Sequence, residues 1–241
     1  IAACIDSAAF ADQIIVVDSG SSDATVDIAR AKGAEVYIHA DWQGFAVQRN
    51  RVLQHANGDW IFFLDADEQL TPELAAEIRG VVDADQDAVW EVVWEEIAYG
   101  QSLARMSGGG GVMRLFPRRL LLGFEGVVHE GARLSREGVL QRQLSHRLPH
   151  YSRETIYGSL VKLAQYVQLG AMKRHAQGKR GGVLRGLASG IANFSRVYFF
   201  RRAFLCGRAG FLISLFVGLE CFFRYVALET DQAQLQETKK R

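Results

Sequence analysis

Apolar and polar positions follow two rhythms along the first half of this chain. Ile14-Ile15-Val16-Val17 is a short β-forming run that ends at Asp18. The polar loop Ser19-Gly20-Ser21-Ser22-Asp23 follows it, then a helical stretch through Lys32 that stops at Gly33. Residues 35–38 predict a second strand, and residues 45–56 predict a helix ending near Asn57-Gly58. Residues 60–64 predict a continuous apolar strand that ends at Asp65. Thr71-Pro72 supplies an N-cap and a first-turn proline for a helix through about Val81. Uninterrupted apolar strands separated by helices predict an α/β fold with a mainly parallel sheet covered on both faces.

Residues 88–94 form another β-rich segment, and Gly108-Gly109-Gly110-Gly111 predicts a loop before a strand at 112–116. From about Ser152 the pattern is helical, first polar with Lys and Arg, then increasingly apolar and aromatic. Residues 211–228 are nearly long enough to cross a bilayer, but Glu220 and Arg224 interrupt them. With Arg185, Arg196, Arg201, Arg202 and Arg208, they predict helices lying on a membrane surface. The Tyr198-Phe199-Phe200 run reads as helix core, with neighbouring arginines suited to anionic headgroups or a phosphorylated acceptor. Residues 1–151 are expected to be one α/β domain, and residues 152–241 a helical, membrane-associated region.

Composition narrows the class. The 241 residues are 49% hydrophobic and 23% charged, enough for one sizeable core with an appended helical region. Lys and Arg total 28 against 27 Asp and Glu, which gives no argument for nucleic acid. Acidic residues concentrate before about residue 96 and arginines after residue 100, so the two halves carry opposite fields. Cys4, Cys206 and Cys221 lie far apart without CxxC spacing, which argues against a zinc site or a disulfide framework and fits a reducing cytoplasm.

In open α/β sheets, ligands bind beyond the carboxyl ends of the strands. Asp18 and Asp65 both stand at such ends. Asp65-Ala66-Asp67 puts two carboxylates on one tight turn, a hard-oxygen arrangement suited to Mg²⁺ or Mn²⁺ bridging a diphosphate. A bound metal would offset charge building on a departing nucleoside diphosphate. The bland alternative is a solvated turn capping the next helix.

Taken in order, Ile14 to Asp23, Gln48-Arg49-Asn50, Asn57-Gly58-Asp59-Trp60 and Leu64-Asp65-Ala66-Asp67-Glu68 resemble family 2 glycosyltransferases. Val128-His129-Glu130 and Arg114-Leu115-Phe116 resemble the bacterial subgroup that adds glucose to the lipopolysaccharide inner core. The resemblance implies a GT-A fold, Rossmann-like, over residues 1–150. It also implies a uridine diphosphate sugar donor, an inner-core heptose or similar glycolipid acceptor, and a place on the inner face of the bacterial cytoplasmic membrane. Asp18 would contact uridine or ribose, Asp23 would shape the nucleotide loop, and Arg49 would lie near base or phosphates. Asp65 would join the nucleotide site, with Asp67 the direct metal ligand.

An inverting transfer also needs a base to take the acceptor hydroxyl proton. The resemblance points to Glu130, with His129 orienting it or holding acceptor phosphate, and to Glu125 as the weaker alternative; Glu68 would support the metal ligand from behind. Local roles compete for several of these residues: Asp23 suits a helix cap, Arg49 a solvated helix position, Asn50 helix-to-sheet packing, His129 a packing histidine and His150-Tyr151 a packed junction.

The first strand of such domains, with its Asn-Glu loop, has no counterpart ahead of Ile1, and the chain is expected to be a fragment. Two other enzyme classes fit less well. Aspartate-nucleophile phosphatases want Thr or Val where Gln69 stands, and sugar nucleotidyltransferases want an early Gly-rich basic loop. A membrane-associated scaffold that keeps the fold without the activity is the non-enzymatic alternative.

Overall fold

Helix α1 (Ala2–Ser7) leads into β1 (Ile15–Asp18), α2 (Thr25–Ala31), β2 (Glu35–Ile38), α3 (Phe45–His55), β3 (Trp60–Phe62) and α4 (Pro72–Ala84). The strand-and-helix alternation expected from the sequence is therefore present to within a few residues. The structure is a computed structural model that describes residues 1–126 and 131–231. Beyond α4 come β4 (Ala88–Ala98), β5 (Gln101–Ser102), β6 (Gly111–Pro117), β7 (Leu121–Glu125), β8 (Gly131–Leu134), β9 (Leu140–Gln143) and β10 (Leu148–Arg153). Helices α5 (Ile156–Ala176) and α6 (Val183–Ser195), a π-helical turn (Arg196–Phe200), a 3₁₀ turn (Ala203–Cys206) and α7 (Gly207–Thr230) complete the described chain. Two compact units result, Ile1–Glu95 with Gly110–His150, and Glu96–Gly109 with Tyr151–Arg241.

In the first unit, the apolar run around β3 is buried on both sides. Successive strand side chains point to opposite faces. Ile61 and Phe63 accordingly join Leu53, Val89, Phe116 and Phe124 in one core. Trp60, Phe62 and Leu64 pack against the other core, built on Leu74 and Ile78 of α4 with Val92 and Leu115. Thr71 caps α4 as expected, its hydroxyl accepting from the Leu74 N–H at 3.2 Å. Asn50 ties α3 to β7: its amide donates to the Phe124 carbonyl at 2.9 Å and accepts from the Phe124 N–H at 2.8 Å. Gly123 fits there because a Cβ would stand 2.9 Å from the Asn50 Oδ1.

The mixed α/β class holds, but the pairing is less parallel than the alternation suggests. β1 and β2 form their own two-stranded parallel sheet. β3 ends a separate sheet of order β10-β4-β6-β3, with β5 and β9 also on β4. There β4/β9 is parallel, whereas β3/β6, β4/β6 and β4/β5 are antiparallel. The reason is the connection: parallel neighbours need a crossover, usually a helix, and residues 99–110 contain none. β6 therefore returns on β4 and slots between it and β3. Burial on both faces, read from sequence as a sign of parallel strands, comes here from α3 and β7 on one side and α4 on the other.

The second unit is built on α7. Thr155 caps α5 by accepting from the Gly158 N–H at 3.0 Å. α6 lies against α7 through glycines: a Cβ on Gly186 would stand 2.8 Å from the Phe222 carbonyl oxygen, and one on Gly190 2.9 Å from that of Gly218. Arg201 holds the glycine loop, donating to the carbonyls of Ser107 at 3.0 Å and Gly108 at 2.8 Å. Glu220 and Arg224, the charges that interrupt the apolar run, pair with each other one turn apart on α7. The Tyr198-Phe199-Phe200 run departs from its expected core role, because Phe199 and Phe200 are exposed.

Gly190→Val forces a branched side chain into the Gly218 backbone and should cost about 1–3 kcal/mol in urea unfolding, with Gly190→Ala milder. Unchanged stability in both variants would mean that α6 does not meet α7 backbone to backbone.

Candidate active site around the Asp65 turn

β3 delivers the chain through Phe63 and Leu64 to Asp65, where the backbone closes on itself. The Glu68 N–H donates to the Asp65 carbonyl at 2.9 Å, and the Asp65 N–H donates to Glu68 Oε2 at 2.8 Å. The Glu68 side chain is fully buried, and its Oε1 accepts from Trp94 Nε1 and from Arg114 Nη2, both at 2.6 Å. Arg114 points inward from β6 and also donates to Asp65, Nη2 to Oδ2 at 2.5 Å and Nη1 to Oδ1 at 3.3 Å. A charged group inside an apolar strand is tolerated only when paired. This guanidinium is paired with two carboxylates at once.

Burial alone would weaken the Arg114 charge, but Asp65 and Glu68 outweigh it and raise the guanidinium's affinity for its proton. For Glu68, burial pushes the carboxyl above its ordinary range, Arg114 pulls the other way, and the Asp65 charge adds to the rise. Burial also pushes the neighbouring Cys4 thiol up to about 11. Its Sγ lies 3.5 Å from the Asp65 carbonyl oxygen. Cys4 is thus a packed thiol, too weakly ionised to act as a nucleophile near neutrality.

Arg49 reaches the same turn from α3, with Nη2 3.4 Å from Asp65 Oδ1. Its guanidinium lies over the rings of Phe63 and Phe124, at 5.4 and 5.7 Å from their centroids. The solvated-helix alternative for Arg49 therefore does not describe it. The Asp67 side chain is 46% exposed, with Oδ2 3.4 Å from His150 Nε2. His150 forms a backbone bridge with Glu68, and its ring leans on Trp94 at 5.2 Å between centroids.

Arg114, Trp94 and His150 are what reading the chain alone did not assemble here. Arg114 stood only within a resembling segment and His150 chiefly as packing, with active-site contact the lesser alternative, because nothing in linear spacing links β4, β6 and β10 to the turn.

Asp18 and Asp23 form a second, local arrangement after β1. Asp18 is 6% exposed. Its Oδ1 accepts from the N–H groups of Gly20 and Ser21 at 2.8 and 2.9 Å, and its Oδ2 from the Ser21 hydroxyl at 2.5 Å. Burial opposes ionisation, but those three hydrogen bonds prevail and hold the carboxyl below its ordinary value. Gly20 adopts φ +96°, which lets its N–H turn back to the carboxylate. Asp23 is exposed and accepts from the Thr25 N–H at 3.1 Å just ahead of α2, whose N-cap position is Ala24. His129 and Glu130 lie outside the described residues, and Glu125 is exposed at the end of β7.

Among the described residues no three His, Cys, Asp or Glu side chains converge as a metal cage. Mg²⁺ is often held by one or two carboxylates together with substrate phosphates and water. Asp67, with its side chain 46% exposed, fits that mode; Asp65, facing Arg49 and Arg114, fits it less well. The turn is suited to a cation that arrives with a diphosphate.

The Asp18 geometry predicts a pH dependence. A carboxyl whose folded value is depressed stabilises the fold above its unfolded value and loses that contribution as pH falls through the folded one. Thermal unfolding of Asp18→Asn should therefore fall below wild type near neutrality, with the gap closing as pH drops below the ordinary aspartate value and through the lowered folded one. A gap that persists unchanged in acid would contradict the ionised, triply hydrogen-bonded Asp18.

Residues 1–122 match the family described as Glycosyl transferase family 2. A TPR repeat-containing protein of Synechococcus elongatus is 39% identical over 121 residues, 49% of this chain and 28% of that protein. The lipopolysaccharide core biosynthesis glycosyltransferase LpsC of Rhizobium meliloti is 26% identical over 216 residues, 87% of this chain and 79% of that protein. Among solved structures, S. aureus TarS aligns with a TM-score of 0.37 at 19% identity, over 51% of this chain and 27% of that one. The chain thus spans little more than a quarter of the Synechococcus protein and most of LpsC. With the family match running through β1, the Asp65 turn and β6, across half of its length, the chain belongs to glycosyl transferase family 2.

Proposed function

We propose that this chain moves a hexose, glucose from UDP-glucose, with inversion onto an inner-core heptose or similar glycolipid acceptor at the inner face of the cytoplasmic membrane. Residues 1–151 would form the transferase domain, and residues 152–241 the membrane-associated region. The observation that carries the donor site is the pair of half-open carboxylates on one turn beside two held guanidinium groups. The Asp65 and Asp67 side chains are 42% and 46% exposed, with Arg49 and Arg114 against Asp65 and His150 against Asp67. Arg49 supplies a held positive charge that suits a phosphate oxygen. When bound at Asp67, Mg²⁺ or Mn²⁺ would offset charge on the departing diphosphate. Asp18 would present its loop to uridine or ribose, and the Asp23 loop would border it. The acceptor-side base is assigned to Glu130, with His129 beside it. The family membership and the likeness to LpsC support the reaction class and the glycolipid acceptor.

Calorimetric titration of UDP and UDP-glucose, with and without Mn²⁺, tests the donor site. Binding should require the cation and weaken on the order of 10- to 100-fold in Asp67→Asn. Equal binding by the variant, or binding indifferent to Mn²⁺, would remove Asp67 from the metal role. Absence of binding by the wild-type chain would favour the scaffold reading.

A further inference from the structure

Between Thr155 and Leu219 the chain has ten Lys and Arg residues and no Asp or Glu. The helices built from this stretch expose many of their largest apolar side chains. On α6, Gly186 and Gly190 face α7. At 3.6 residues per turn the positions away from that contact divide into two stripes. Arg185, with Arg196 just after the helix, makes an exposed basic edge. Leu184, Ala188 and Ile191 make an apolar face, with Leu184 80% and Ile191 66% exposed. The apolar surface continues past α6: Phe199 and Phe204 both pack edge-on against Tyr198, and Phe200 is 80% exposed. Lys179 and Arg180 stand exposed just ahead of α6, and Arg202 and Arg208 after it.

Three kinds of occupant compete for such a face. A second copy of the chain would set the same patch against itself across a two-fold axis, bringing basic rim against basic rim with no acidic residue in the stretch to pair them. A membrane crossing by Ala203–Thr230 is allowed by length and composition. However, α5 and α6 both pack along α7, and its two charges lie paired on the packed helix. An anionic bilayer surface satisfies both halves of the pattern, since apolar side chains enter the acyl boundary while Lys and Arg remain among the headgroups.

We infer that α6 and the two turns after it lie in the plane of an anionic lipid surface, with Leu184, Ile191, Phe199 and Phe200 inserted and Lys179, Arg180, Arg185 and Arg196 at the headgroups. This goes beyond the transfer reading by naming the inserting element and its lipid chemistry. Vesicle binding requires no sugar nucleotide, so the two readings fail separately.

The test is flotation of the full chain with phosphatidylcholine vesicles, with and without phosphatidylglycerol. Binding should require the anionic lipid and weaken in high salt. Each charge removed in Lys179→Gln, Arg180→Gln and Arg185→Gln should reduce it about fivefold. Leu184→Glu with Ile191→Glu should abolish it without moving the unfolding temperature, since both side chains are already exposed. A Leu184→Trp variant should have its fluorescence quenched by brominated acyl chains. Equal binding to neutral vesicles, full binding by the double glutamate variant or an unquenched Trp would overturn the inference. Resistance to alkaline carbonate extraction would replace it with a spanning helix, and lipid-free dimers lost in the glutamate variant would replace it with self-association.

Discussion

The Arg114 guanidinium is enclosed in the first unit with two carboxylates against it, one fully buried and one half open to water. Most of the candidate site follows from that arrangement. An ionised group in such surroundings is costly unless its partners are held at hydrogen-bonding distance, so Arg114 fixes where Asp65 and Glu68 can be. Glu68 then closes the turn through the Asp65 N–H and anchors Trp94. Trp94 carries the ring of His150, which reaches Asp67. One strand arginine thereby orders the turn that carries Asp65 and Asp67, whose side chains stay 42% and 46% exposed.

The second unit is organised by a different constraint. Its helices meet through absent side chains, with Gly186, Gly190 and Gly218 bringing α6 onto α7 at backbone distance. Close approach at the glycines leaves the larger apolar residues of α6 on the outer face. The first unit is thus fixed by polar partners around a buried charge, and the second by shape, with an outer surface that is apolar and basic together.

Much of this was legible in the sequence where local chemistry decides the outcome. The β1 run ends at Asp18 as expected, β3 stops at Phe62, three residues short of Asp65, and Thr71-Pro72 starts its helix. Asn50 packs helix to strand, one of the roles its position suggested. What escaped depended on contacts distant along the chain. Arg114 finds Asp65 and Glu68 from 49 and 46 residues away, and no local pattern announces such a partner. The antiparallel return of β6 was hidden because burial on both faces, the usual mark of a parallel strand, arises equally from packing by α4, α3 and β7. Phe199 and Phe200 looked like core because composition cannot tell a buried aromatic from one facing outward.

The most direct test of this account is a double-mutant cycle on the buried pair, measured by urea unfolding of Arg114→Met, Glu68→Leu and the two combined. Arg114→Met leaves the buried Glu68 carboxylate without its guanidinium and should cost about 3–5 kcal/mol, while Glu68→Leu, which leaves Arg114 its Asp65 partner, should cost less. The combined variant should cost clearly less than the sum, with a coupling of at least roughly 1 kcal/mol. Strict additivity, or single variants as stable as wild type, would show that Arg114 does not hold the Asp65 turn through Glu68.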